Sequence, residues 1–450
     1  MTSQPILRVF AGILLAFGAT PSVSRAEKPN IVVILSDDLG YGDLGCYGST
    51  RVKTPHIDRM AREGMRFTDF HSNGSTCSPT RAALLTGRYQ QRAGIEGALS
   101  EKSPGLTDTA RTIAEYLKPA GYATGAIGKW HLGSKPGSAA LPNRRGFDVF
   151  RGSRHGGVDY ASHVDRYGRL DWWQDDEPLV EEGYATDLLT GHALQFIAQH
   201  RERPFFLYLP HTAIHFPWMV PGDKPDREQG KNYDNNAMKL GPHPPVEITA
   251  VVNRMIERLD DGVGRVMDAI RVLPPGRETL VIFTSDNGGY LRYPGGFKDI
   301  SSNGVLRGQK AGMHEGGHRA PCIAWWPGRI AAGSGTDATT MTMDLLPTFL
   351  EAAGIPGPAA GDPQAFDGAS LMPVLLRKEP LPPRTLFWRA GDMKAVRQGP
   401  WKLVIEHDGP AQLYNLAADL NERKNLAALE PQRLQEMLDA LAVWQAQFMK

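Results

Sequence analysis

The chain has 450 residues, 41% hydrophobic and 22% charged, which is the balance of an ordinary soluble globular protein with one large core or two smaller ones. Lys and Arg number 50 against 49 Asp and Glu. That balance excludes bulk charge as a means of holding nucleic acid or a membrane surface, and any charge specificity must be local.

Residues 1–26 read as a signal peptide. Arg8 is a weak positive n-region, residues 9–19 are an apolar stretch too short to span a bilayer, and Ser24 and Ala26 put small residues at the cleavage-site positions. No later run reaches about 18 consecutive apolar residues, so a periplasmic or secreted protein without a membrane span is expected. Export usually brings disulfides. Yet Cys46, Cys77 and Cys322 are widely spaced, lack zinc spacing, and leave at least one thiol unpaired. Cys46 and Cys322 are expected to be buried and inert.

Short apolar runs follow, each ending in polar residues. Residues 30–35 (NIVVIL) lead into Asp37 and Asp38. A Gly/Ser/Thr-rich loop at 73–76 then leads to Cys77, with Ser78 as a candidate N-cap and Pro79 suited to the first helical position. Cys77 is thus placed at a helix N-terminus that favours an anion, with Arg81 one turn later. Residues 109–118 carry apolar residues at helical spacing, and Gly121 could end that helix. Residues 123–127 lead into Lys129 and His131. The segment 154–176 is dense in His, Asp, Arg and Trp, a mix that suits a sugar ring, with His155, Asp159, His163 and Trp173 as candidates. A helix is expected at 187–200. Residues 205–209 lead into His211 and His215. The polar loop 219–245 could line a cleft. A long helix is expected at 248–272, and residues 279–283 lead into Asp286 and Asn287.

Apolar runs of this length, alternating with helices, predict an α/β fold with a mostly parallel central sheet flanked by helices. In such sheets ligands bind beyond the carboxyl ends of the strands, which is where the polar residues named above fall. Pro-rich connectors at 356–363 and 380–383 precede strand-like segments at 394–398, 401–406 and 412–416 and an amphipathic helix at 431–449. These predict a small C-terminal α+β subdomain. The division is 1–26 signal peptide, 27–365 main domain and 366–450 C-terminal subdomain.

Asp37-Asp38 and Asp286-Asn287 are two acidic clusters at strand ends. Ligands of this all-oxygen kind suit a hard cation such as Ca²⁺ or Mg²⁺ rather than zinc. A nucleophilic cysteine at a helix start would need a base nearby and would be oxidation-prone outside the cell.

At these residues the chain resembles a family. "CSPTR" followed by "AALLTGR" resembles the Cys-x-Pro-x-Arg signature of the type I, formylglycine-dependent sulfatases, arylsulfatase A-like, of the alkaline phosphatase superfamily. "GYATGAIGKWHLG" at 121–133 resembles that family's second signature. The likeness extends through "NIVVILSDDLGYGDLGCYG", "PFFLYLPHTAIHFP", "FTSDNGG" and "LRGQKAGMHEGGHRAPCIAWWPG", over about residues 29–348, with a looser match at "AVRQGPWKL" and "LYNLAADLNERKNL".

The resemblance implies a sulfuric ester hydrolase whose motif cysteine, Cys77, is oxidised to formylglycine by a maturation enzyme that reads Pro79 and Arg81. It implies one Ca²⁺ per chain held by Asp37, Asp38, Asp286, Asn287 and modified Cys77. Arg81 would steady the hydrated aldehyde, and Lys129 and Lys310 would bind sulfate oxygens. His131 would be the general base, and His215 or Lys310 the proton donor to the leaving oxygen. The expected substrate is a sulfated carbohydrate such as a glycosaminoglycan, or another sulfated small molecule. His211 departs from the family pattern and is expected to shape the pocket edge. Two alternatives remain: a phosphate ester or phosphonate hydrolase of the same superfamily, and a non-catalytic sulfated-glycan binding protein.

Overall fold

A computed structural model describes residues 1–2, 28–233 and 239–448; the signal-peptide reading lies almost wholly outside the described residues. Ten strands form the main sheet: β1 Asn30–Ser36, β2 Met65–Phe67, β3 Ala123–Ile127, β4 Val149–Gly152, β5 Trp173–Gln174, β6 Glu177–Pro178, β7 Phe205–Pro210, β8 Thr279–Ser285, β9 Cys322–Trp325 and β10 Ser334–Thr336. Their spatial order is β10-β2-β9-β8-β1-β7-β3-β4-β5-β6. The stretch β8-β1-β7-β3-β4 is parallel. β9 runs antiparallel to β8 and β2, and β5 and β6 turn back at the far edge. The four apolar runs of the sequence are β1, β3, β7 and β8, which lie side by side.

They are apolar throughout because both faces of the sheet are covered. Ile31, Val33 and Leu35 of β1 face one core cluster, while Val32 and Ile34 face the other. Helices α1 Pro55–Glu63, α4 Ala185–Gln199 and α5 Ile248–Arg271 cover the second face. Helices α2 Cys77–Thr86, α3 Ile113–Leu117 and α7 Leu345–Ala352 cover the first. A short α6, Glu315–His318, precedes β9. No helix among the described residues is long and apolar enough to cross a membrane.

One predicted helix is shorter than its pattern. The apolar spacing begins at Ala110, but α3 starts only after Thr112, whose side chain and that of Glu115 form a reciprocal capping box. The Ala110 carbonyl is taken by the Arg145 guanidinium instead of a helical N–H, and the Thr107 carbonyl is shared between that guanidinium and the turn N–H of Ala110. The Arg145 contact crosses 35 or more residues of sequence and is invisible to local periodicity.

The C-terminal strands β11 Thr385–Ala390, β12 Met393–Gln398, β13 Trp401–Ile405 and β14 Gln412–Asn415 form an antiparallel meander, one strand more than the sequence pattern suggests. Helix α8, Pro431–Ala446, packs on it through Met437, Leu441 and Trp444. Their core is shared with Ala83 of α2 and with Met313, Met341 and Met343. Trp388 Nε1–H donates to the Ser72 carbonyl at 2.8 Å. Lys402 of β13 is fully buried between Glu315 at 2.9 Å and Glu422 at 3.0 Å.

Removing one partner from such a buried set leaves uncompensated charge. Lys402→Met is therefore expected to destabilise the protein by about 3–5 kcal/mol, read as a lower midpoint in chemical denaturation. A midpoint equal to that of the native chain would show that the ion cluster is dispensable.

Candidate active site

The site forms where β8, β1, β7 and β3 end together. Asp37 and Asp38 follow β1, Asp286 and Asn287 follow β8, His215 follows β7, and Lys129 and His131 follow β3. Two backbone features set these ends. Asp38 sits at φ +64°, a left-handed conformation that Asp tolerates better than most residues, and its N–H donates to Asp286 Oδ1 at 3.2 Å. Gly128 sits at φ +135°, and a methyl group there would lie 1.9 Å from the Pro210 carbonyl oxygen. Only glycine lets β3 pass so close to β7 and place Lys129 beside it.

Helix α2 delivers Cys77 and Arg81. The sequence suggests Ser78 as its cap, but the chain is already helical at Cys77, and Thr76 is the N-cap residue. Ser78 has other partners: its hydroxyl donates to the His131 carbonyl at 2.9 Å and accepts from Leu99 N at 3.0 Å. Every residue of this ten-residue helix is buried. Arg81 reaches back to donate to the Lys129 carbonyl at 2.7 Å, to Asp286 at 2.7 Å and to Asp37 at 3.2 Å.

Positive and negative groups alternate through the site. Lys129 pairs with Asp37 Oδ2, and Lys310 with Asp38 Oδ1 at 2.5 Å. Burial opposes the Lys310 ammonium, but Asp38 and its other anionic neighbours hold its pKa well above the usual lysine range. Burial, and then the neighbouring Asp37 charge, raise the Asp286 pKa against the pull of Arg81. Cys77 Sγ lies 3.1 Å from His131 Nδ1. The other His131 nitrogen lies 3.0 Å from the Leu99 carbonyl, which can only accept. Nε2 therefore carries the hydrogen and Nδ1 turns a lone pair to Cys77. Burial first, then Lys129 and Arg81, depress the His131 pKa well below the usual range and keep the ring neutral. His215 is depressed in the same way by burial, Lys310 and Lys129. Its Nδ1 donates to the Phe216 carbonyl at 2.6 Å, and its Nε2 lies 3.9 Å from Asp38 Oδ2.

The residues fit a divalent cation. Asp37 Oδ1, Asp38 Oδ2 and Asn287 Oδ1 are buried acceptors with no hydrogen-bond partner among the described residues. Side-chain ligand atoms of Asp37, Asp38 and His215 come within 4.8 Å of one another. Buried acceptors are rarely left unpaired, and carboxylate and amide oxygens are the donors a hard cation takes.

All ten predicted site residues meet in this region. The substrate-side candidates divide. His155 lines a cavity of about 310 Å³ with Cys77, His131, His215 and Lys310. Asp159, His163 and Trp173 do not line it. Asp159 is fully buried and accepts backbone N–H groups of Ala161, Ser162, Asp226 and Arg227. His163 stacks on Trp172 with centroids 4.3 Å apart, and Arg154 lies 3.7 Å over the Trp173 ring. These three hold the loop's shape. His211 is not at the pocket edge: it is 1% exposed, and burial lowers its pKa to about 4. Cys46, Cys77 and Cys322 are all free; Cys322 is buried as expected, whereas Cys46 is only partly buried, and burial raises the thiol pKa of both Cys46 and Cys322.

The cavity also takes Glu101, Arg166, Tyr167, Arg227 and Tyr290, none of which the sequence singles out. Arg166, Tyr167 and Arg227 do lie within the two polar loops it flags. Gly156 and Gly157 have a tighter role. A methyl at Gly156 would come within 2.8 Å of His131 Cε1, and one at Gly157 within 3.1 Å of His215 Nδ1. The loop therefore lies directly on both imidazoles.

A family model described as Sulfatase matches residues 29–355, and one described as N-sulphoglucosamine sulphohydrolase, C-terminal, matches 308–443. Arylsulfatase A of Homo sapiens is 34% identical, covering 95% of this chain and 89% of its own. N-acetylgalactosamine-6-sulfatase of Mus musculus is 34% identical, covering 89% and 75%. The crystal structure of Ps i-CgsB in complex with k-i-k-neocarrahexaose superposes with TM-score 0.81 at 30% identity, covering 93% of each chain.

The unpaired oxygens predict cation-dependent stability. After chelation, added Ca²⁺ should raise the melting temperature, with about 2.7 kcal/mol gained at about 100 times the Kd. Asp38→Ala should remove that dependence. Melting that ignores Ca²⁺ and Mg²⁺ would exclude a cation at this position.

Proposed function

This chain belongs to the sulfatase family and is a sulfuric ester hydrolase, and on that premise we propose that it cleaves the sulfate monoester of a sulfated carbohydrate. Exported through its leader-like residues 1–26, it would work in the periplasm or outside the cell, after a maturation enzyme has converted Cys77 to formylglycine. The single observation that carries the reading is Cys77, buried at the start of α2 with the His131 Nδ1 lone pair 3.1 Å away.

Asp37, Asp38, Asp286 and Asn287, with the side chain at 77, would hold Ca²⁺. That ion would supply Lewis-acid charge. The formylglycine formed at 77 would supply an oxygen nucleophile together with an aldehyde that can be regenerated to release sulfate, which a serine would lack, and that is the chemical reason for the modification.

The remaining work falls to this chain's own groups. Arg81 fixes Asp37 and Asp286 relative to Cys77 and keeps the side chain at 77 oriented. Lys129 and Lys310 are cations at the strand ends, placed to neutralise charge on the sulfuryl oxygens, where preorganised charge matters most. His131 Nδ1 takes the proton from the group at 77, with its tautomer set by Leu99. Lys310 carries a proton for the leaving oxygen, while neutral His215, with its hydrogen given to Phe216, presents Nε2 as an acceptor and gains a second proton only as imidazolium. The substrate class draws support from the names of the relatives, one an amino-sugar sulfatase and one a structure with a bound hexaose.

Mass spectrometry of the tryptic peptide holding Cys77 is the direct check, and an intact thiol in active, natively exported protein would refute the mechanism. Cys77→Ala should abolish sulfate release while leaving the melting curve that of a folded protein. Faster turnover of an aryl phosphate than of the matching aryl sulfate would instead favour the phosphatase alternative.

A further inference from the structure

One wall of the cleft takes no part in the chemistry at position 77. Arg227 lines the cavity and is 1% exposed, yet its Nε and Nη1 have no hydrogen-bond partner among the described residues. Only Nη2 donates, to the Lys239 carbonyl at 3.2 Å. Buried guanidinium donors normally find acceptors, and leaving them unpaired carries a desolvation penalty. Arg166 lines the same cavity, where its Nη2 donates to the Tyr167 hydroxyl at 2.7 Å and its guanidinium lies 4.9 Å from that ring's centroid.

Four carboxylates of this wall have partners other than Arg227, among them Asp226, which lies 3.5 Å from Lys239 Nζ and accepts from Gly241 N at 3.1 Å. Asp165 accepts from the Tyr167 and Arg169 backbone N–H groups and pairs with the Arg169 guanidinium at 3.0 Å. Arg169 also holds Glu101 at 2.8 Å. Asp159 is occupied by four backbone N–H groups. Charged groups near Arg227 include Asp159, Asp226, Asp165 and Arg166, none of them a strand-end carboxylate.

We infer that Arg227 and Arg166 form a second anion subsite, which binds a carboxylate or sulfate carried by the substrate apart from the sulfate that is cleaved. The inference rests on the reading above for which end of the cleft reacts. A planar guanidinium grips either anion through paired N–H donors, and Tyr167 and His155 supply rings beside it. The substrate class is then a glycan with at least two anionic groups, such as a hexuronate-containing or multiply sulfated chain. An aryl monosulfate would leave the subsite empty.

The test uses the mature full-length protein. Calorimetry compares an unsulfated hexuronate tetrasaccharide with a neutral tetrasaccharide, and kinetics compares a disulfated with a monosulfated disaccharide. At least one anionic ligand should be favoured by about tenfold or more, the size of one charge-assisted hydrogen bond. The arm that shows the preference identifies the anion as carboxylate or sulfate. Arg166→Gln and Arg227→Gln should each cut the preference ratio about tenfold, and Arg227→Lys should retain part of it. If Arg227→Gln does not fold, Arg166→Gln decides on the same ratio. No preference in either arm, or one that survives both variants, overturns the subsite. A protein that releases no sulfate but keeps the calorimetric preference would refute the sulfatase reading and leave the subsite standing.

Discussion

Three buried carboxylates share one edge of one sheet, and the structure around them is arranged to make that possible. Asp37, Asp38 and Asp286 are between 0% and 3% exposed. Burying one ion costs several kcal/mol, and burying three of the same sign together costs more. Arg81, Lys129 and Lys310 answer them one for one. Arg81 is the central piece, because it bridges Asp37 and Asp286 from different strands while also holding the Lys129 carbonyl. A helix must deliver that guanidinium to the sheet edge, and the same helix carries Cys77 one turn earlier. The position of the reactive group is thus tied to the charge balance.

That requirement propagates outward. Helix α2 has no exposed face: it packs on the sheet through Ala82, Leu84 and Leu85, and on the C-terminal meander through Ala83. Trp388 and Lys402 fasten the meander to the segment before α2 and to α6. The C-terminal subdomain therefore acts as a back wall for the helix that bears position 77. The loop at 155–167 lines the cleft and lies against His131 and His215 at two glycines. Reacting groups held between rigid elements lose little freedom on meeting substrate, which is the physical content of preorganisation.

Much of this was legible in the chain. The runs at 30–35, 123–127, 205–209 and 279–283 read as parallel strands because covered strands are apolar on both faces. The polar residues that end them converge because parallel strands share one carboxyl edge. The long helices α4, α5 and α8 matched their periodicity for the same reason: one face meets a core. The failures have a common cause too. The start of α3, the real partners of Ser78, the structural role of Asp159 and the burial of His211 all depend on groups distant in sequence. A polar residue in a loop reads alike whether it meets a ligand or a backbone N–H.

The sequence by itself determined the four central parallel strands, the long helices, the edge at which chemistry would sit and, through its resemblance to a family, the identity of the residues there; the short strands at the sheet's flanks and helices α1, α6 and α7 carried no such signal. Local pattern suffices for this, because burial on two faces and strand polarity are written residue by residue. Tertiary structure alone decided which nitrogen of His131 faces Cys77, which carboxylate oxygens stay unpaired, and which arginines line the cleft. Those depend on distances between segments such as Leu99, Asp286 and Arg227, and no spacing along the chain encodes them.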